Sequence, residues 1–178
     1  MRFLLPLLLL AACARGPSPT EAASGCERRA EATVAFTAPD AADQIVARAL
    51  GESCEAAVVV WSLQEAGTGK VLWAYAAPYE VLATTQDVAS SAEVSAFLDR
   101  WVKSPVDDTG ASPVWTGEES VPEEWGPSGR SAFMRETYES IRAARHRRLC
   151  VRTTRERFVC LFHDPRVGAV DIHFEGGL

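Results

Sequence analysis

The stretch LCVRTTRERFVCLF, residues 149–162, decides how the second half of the chain folds. Two apolar runs flank a polar, Thr- and Arg-rich centre, which is the pattern of a β-hairpin. Setting Cys150 opposite Cys160 also sets Val151 opposite Val159 and Leu149 opposite Leu161. The covalent and apolar registers coincide, with Val and Leu on one face and the cysteines on the other. A 150–160 disulfide is therefore expected.

Working outward, residues 167–174 alternate through Val170, Ile172 and Phe174 and read as a last strand. Before the hairpin, residues 131–146 read as a helix with Phe133, Met134, Tyr138 and Ile141 inward. Ser90-Ser91-Ala92-Glu93 is a capping box, and Val94, Phe97, Leu98, Trp101 and Val102 follow at helical spacing. Residues 57–64 and 70–76 form a hairpin about the turn Ala66-Gly67-Thr68-Gly69. Its expected register pairs Leu63 with Leu72, Trp61 with Ala74 and Val59 with Ala76. Gly67-Thr68-Gly69-Lys70 is thus a turn, not a phosphate loop, since a strand follows it. Residues 31–37 alternate as a strand. A helix is expected after them, capped near Thr37, with Ile45, Val46, Ala49 and Leu50 as its stripe and Gly51 at its end.

The amino-terminal residues supply an address. Residues 3–14 form an apolar run broken by Pro6; as a helix it reaches about 18 Å, against a hydrocarbon core of about 30 Å. It is too short to span. Arg2, a leucine run and small residues follow the order of a secretory signal. Leu10-Ala11-Ala12-Cys13 resembles the lipobox of bacterial lipoproteins. That resemblance implies diacylglycerol on the Cys13 sulfur, cleavage before it, residues 1–12 as signal peptide and a membrane partner through the lipid. Ala14 is not the aspartate of inner-membrane retention, so the same resemblance favours the periplasmic face of the outer membrane. Ala12-Cys13-Ala14 also permits an A-x-A cut that would release an unlipidated protein. Residues 13–25, rich in Pro, Ser and Ala, read as a tether, and residues 26–178 as a single domain.

With Cys13 lipidated, four of the five cysteines remain: Cys26, Cys54, Cys150 and Cys160. An even number in an oxidising compartment suggests two disulfides. If the strands after Cys26 and Cys54 are parallel through a right-handed crossover, both cysteines lie at one end of a sheet and can pair. A helix–hairpin unit used twice would instead pair Cys54 with Cys150.

Residues 104–129 are long, irregular and acidic. They hold Asp107, Asp108, Glu118, Glu119, Glu123 and Glu124, no basic residue, and Trp115 and Trp125. Residues 130–157 follow with nine arginines against three glutamates. Arg142, Arg145, Arg147 and Arg148, with the two tryptophans, are candidates for holding an anionic envelope component or an envelope protein. The alternative is that loop and basic face satisfy each other. Asp108-Thr109-Gly110-Ala111-Ser112 resembles the active-site signature of aspartic proteases, but no apolar strand precedes it and no second D-T-G exists. His163, Asp164, Asp171 and His173 border the last turn without a spacing that defines a metal site. A net charge of −6 argues against nucleic acid.

The expected architecture is α+β: a mixed, mainly antiparallel sheet of about six strands with three helices packed mostly on one face. The expected function is that of a cell-envelope lipoprotein acting as a non-catalytic binding or structural module, needing no cofactor and no metal. The alternatives are a small periplasmic hydrolase using Asp108 or the His163/Asp164/His173 group, and an inhibitor of a cell-wall-degrading enzyme.

Overall fold

The computed structural model describes residues 25–83, 90–115 and 130–177. The fold is α+β, and its strands form two four-stranded antiparallel sheets where one sheet of about six was expected. In the first sheet, β1 (Cys26–Val34), β2 (Asp43–Gly51), β3 (Val58–Gln64) and β4 (Val71–Pro78) pair in chain order. The second sheet orders β5 (Val106–Asp108), β6 (Arg147–Arg152), β7 (Arg157–Asp164) and β8 (Ala169–Gly177).

The helix expected before Gly51 is strand β2. Its apolar residues fit a helical stripe, but Ile45, Ala47 and Ala49 fit a two-residue period equally well, and tertiary context decides. Ala47 lies between Ala30 of β1 and Trp61 of β3, where its small side chain leaves room for the indole. All three inward residues are fully buried. Asp43 starts the strand as a buried carboxylate. It accepts from the Phe36 and Thr37 amides at 3.1 and 2.7 Å, the Thr37 hydroxyl at 2.9 Å and the Ala66 amide at 3.0 Å. One side chain thereby closes the ends of two hairpins.

The β3–β4 hairpin is built as expected about Gly67 and Gly69, both at positive φ, but a bulge beyond Leu63 shifts its register by one. Leu63 faces Trp73, Trp61 faces Tyr75 and Val59 faces Ala77. The shift turns Trp73 and Tyr75 inward, where Trp73 stands edge-on to Trp61 at 5.6 Å.

The β6–β7 register is the expected one: Leu149 pairs with Leu161, Cys150 with Cys160 and Val151 with Val159. Both disulfides, 26–54 and 150–160, are present. The first does not rest on a parallel crossover: β1 and β2 are antiparallel, Cys26 faces Gly51, and Cys54 lies in the turn just beyond. In the last strand a bulge leaves His173 as the extra residue between the Leu161–Ile172 and Cys160–Phe174 pairs. Val170 and Ile172 pack on the inter-sheet core, whereas Phe174 joins the cluster on the opposite face, so the three do not share the face that alternation implied.

The helices also do not share one face. The two sheets enclose a common core with α2 (Ser91–Trp101), whose Val94, Phe97, Leu98 and Trp101 are buried as expected. The capping box is formed in both directions, at 3.2 and 2.8 Å, and the Ser90 amide bond lowers the Glu93 pKa. A short α1 (Tyr79–Leu82) follows β4. On the outer face of the second sheet lies α3 (Arg135–Ala144), shorter than expected. Met134 precedes its first turn and is 81% exposed, not inward. Among the described residues no helix is long and apolar enough to cross a membrane.

Asp43→Ala is expected to lower the unfolding free energy by roughly 3–5 kcal/mol, because buried amide donors lose their acceptor. Asp43→Asn keeps one acceptor oxygen and is expected to cost less than half of that. Urea denaturation of the three proteins measures both effects.

Candidate functional site

Two assemblies of polar side chains stand out, one closed and one open. The closed one lies between α3 and the second sheet. Arg148, nearly buried, makes a two-pronged bond to Asp107 (Nε–Oδ1 2.8 Å, a terminal nitrogen to Oδ2 2.6 Å), and its other terminal nitrogen donates to Ser112 Oγ at 2.8 Å. Ser112 Oγ lies 3.0 Å from His173 Nδ1, and His173 Nε2 lies 3.3 Å from the Tyr138 carbonyl. A carbonyl can only accept, so Nε2 carries the proton and Nδ1 accepts from the Ser112 hydroxyl. The imidazole is neutral: burial, opposed by the Tyr138 carbonyl, pushes its pKa down to about 4. Burial likewise raises the Tyr138 phenol, whose hydroxyl donates to the Pro113 carbonyl at 2.8 Å.

A serine hydroxyl on an imidazole is the beginning of a nucleophile–base pair. Here both residues are buried, 3% and 0% exposed, and the remaining imidazole nitrogen is bound to α3. The arrangement fastens α3 and residues 109–115 to the sheet.

The D-T-G segment belongs to the same fastening. Asp108 Oδ1 accepts from the Gly110 amide at 2.7 Å and caps a 3₁₀ turn (Thr109–Ala111), while the Thr109 hydroxyl donates to the Ile141 carbonyl at 2.7 Å. A Cβ at Gly110 would come within 2.7 Å of Asp108 Oδ1, so a larger residue there would push the capping carboxylate aside. The carboxylate is a turn cap.

The candidate partner-binding residues divide. Trp115 is buried against Tyr138, with ring centroids 5.4 Å apart. Arg142 donates to the Ser112 carbonyl at 2.9 Å, and Arg147 to the carbonyl of Ala35, just beyond β1. Being neighbours on β6, Arg147 and Arg148 point to opposite faces. Arg145 alone of the four arginines is largely exposed, with a loose pair to Asp108 at 3.8 Å. Acidic and basic segments thus meet at Asp107–Arg148 and Asp108–Arg145. Trp125, the acidic residues 118–124 and Cys13 lie outside the described residues. In the last turn, Asp164 is bound to Arg166, whose hydrogen bonds lower its pKa to about 2. Asp171 accepts from the Ile172 amide. No group of three potential ligands gathers for a metal among the described residues.

The open assembly is a cleft of about 530 Å³ at the free edge of β6. Strand β5 pairs with β6 only at Arg147–Leu149, so the edge from Cys150 to Arg152 has no strand beside it among the described residues. Phe97 and Trp101 of α2 form one wall, and Cys150 and Phe158 of the β6–β7 hairpin form the other. The walls are fixed: Trp101 Nε1 donates to the Arg152 carbonyl at 3.1 Å, and the 150–160 disulfide ties the strands. Phe158 lies over Gly176, where a Cβ would come within 2.6 Å of its ring. Arg100, Lys103 and Arg152 line the cleft too, and their side chains make no ion pair or hydrogen bond among the described residues. Among the described residues no acidic side chain lines it.

The sequence reading missed this cleft. One signal was there: Arg152 alternates with Cys150 and falls on the cysteine face of the hairpin.

No family model matches the chain, and no curated protein or solved structure is detectably similar to it.

His173 gives a pH dependence of known sign. Its folded pKa lies below the usual 6.5, so between pH 6.5 and about 4 the unfolded chain takes up a proton that the folded chain refuses. Stability is expected to fall by roughly 3 kcal/mol as pH drops through that window, then to level off on this account. Urea denaturation across the series should show this slope, flattened in His173→Gln. Asp164 titrates in a lower window, between its usual 3.8 and about 2.

Proposed function

We propose that the chain is a lipid-anchored protein of the bacterial cell envelope and that its folded part is a non-catalytic binding module, with the cleft at the β6 edge as its binding site. The observation that carries the reading is the company in the cleft. Elsewhere in the molecule, Arg29, Arg130, Arg142, Arg145, Arg148 and Arg166 are each paired with a carboxylate. Arg100, Lys103 and Arg152, without such a partner among the described residues, meet at one cavity, whose volume falls within the range of about 300–1,000 Å³ that small-molecule sites occupy. Ligand pockets combine an apolar lining with a few convergent polar groups, and this cleft has both.

Binding is favoured over hydrolysis because the groups that could form a nucleophile–base pair, Ser112 and His173, are enclosed and spent on holding α3. The envelope address is supported by the order of residues 1–13, and the two disulfides suit an oxidising compartment. An acylated Cys13 carrying more than one chain gives stable anchoring, each buried methylene contributing about 0.8 kcal/mol.

Two measurements test the two halves. On detergent-phase partition of cells, the wild-type protein is expected in the detergent phase and Cys13→Ser in the aqueous phase; equal partition removes the anchor. For the cleft, the neutral apolar dye Nile red is expected to brighten on the purified domain. Ser104→Trp, which fills the cavity from its rim, should cut that signal at least fivefold without moving the denaturation midpoint. Undiminished fluorescence in that variant removes the cleft as the site.

A further inference from the structure

We infer that the cleft takes an amphipathic phosphate: a single apolar chain ending in a phosphate monoester, with the chain against Phe97, Trp101 and Phe158 and the phosphate among Arg100, Lys103 and Arg152. The inference rests on the reading of the cleft as a binding site and adds the chemistry of its occupant.

Charge complementarity is the first argument. The three cations come from separate places, Arg100 from the last turn of α2, Lys103 from the segment after it, and Arg152 from β6, yet they line one cavity. None is neutralised by a carboxylate among the described residues, although the chain carries a net charge of −6 and most of its arginines find an acid or a carbonyl. Cations held together without acids repel one another, and an anion between them removes that cost. Two guanidinium forks and an ammonium suit a phosphate, which presents three oxygens and about two charges, better than a single carboxylate.

The second argument is the lining. Phe97 and Trp101 of α2 are both buried, with ring centroids 5.3 Å apart, and Phe158 of β7 lines the same cavity. A bare inorganic ion would leave those surfaces unused. An apolar chain covers the half-buried Phe158 and the small part of Phe97 and Trp101 that water still reaches, at about 25 cal/mol for each Å² covered.

The test is competition against Nile red, using dodecyl phosphate below its micellar concentration. Dodecyltrimethylammonium and inorganic phosphate serve as controls. Dodecyl phosphate is expected to displace the dye at least tenfold more tightly than the ammonium compound, with inorganic phosphate having no effect in the same range. Arg152→Gln and Arg100→Gln should each weaken dodecyl phosphate by roughly tenfold, the worth of one charge-assisted hydrogen bond, relative to the Nile red affinity measured in the same variant. Equal displacement by the two surfactants, with Nile red still bound, overturns the phosphate while the cleft reading stands. Displacement by inorganic phosphate alone at the same concentration overturns the amphipathic requirement. Absence of any Nile red signal takes the cleft reading and this inference down together.

Discussion

The antiparallel register of β6 on β7 is the constraint from which the rest of the second sheet follows. Pairing Leu149 with Leu161 and Val151 with Val159 sends four aliphatic side chains into the core shared with the first sheet and α2. The same pairing sends Arg148, Cys150, Cys160 and Arg152 the other way. There, Arg148 organises the polar fastening beneath α3, the cysteines staple the strands, and Arg152 arrives at the cleft. A slip of one residue would exchange those faces and bury a guanidinium in the core, where an unpaired charge is costly.

Each sheet is closed at its ends by a buried polar hub, not by apolar contact alone. Asp43 gathers four donors from two turns, and Arg148 gathers Asp107 and Ser112 from the segment that crosses to α3. Such hubs are stabilising only when complete, because each group left without a partner in a low dielectric costs about as much as several surface contacts contribute. That completeness separates the closed assembly from the cleft. Beneath α3 every polar group has a partner and the chemistry is consumed in structure. At the β6 edge three cations have none among the described residues, and β5 is too short to pair with the edge from Cys150 to Arg152.

Several readings of the sequence went astray for identifiable physical reasons. The stripe Ile45, Val46, Ala49 and Leu50 is compatible with two periods over so short a window, and only the neighbours β1 and β3 select the strand. Bulges beyond Leu63 and at His173 each insert a residue that no local pattern announces, and each re-aims side chains: Trp73 and Tyr75 inward, His173 and Phe174 toward α3. The arginine-rich run looked like one charged face. Alternation on β6 split it, and Arg147 and Arg148 were absorbed on opposite sides of the sheet.

What the sequence alone determined was local or covalent in origin. The capping box and buried stripe of α2 are settled by residues within two turns of one another. The β6–β7 hairpin is settled because apolar spacing and cysteine spacing agree, and the β3–β4 turn because its glycines adopt positive φ. The division into two sheets, the strand at β2 and the cleft were decided by tertiary structure, since each depends on which distant surface an element meets. Arg100 and Arg152 lie half a hundred residues apart in the chain, and what unites them is the packing of α2 on the first sheet, which brings Trp101 within hydrogen-bond reach of the Arg152 carbonyl at the β6 edge. Periodicity reports which side of an element is apolar; it carries no record of what stands opposite.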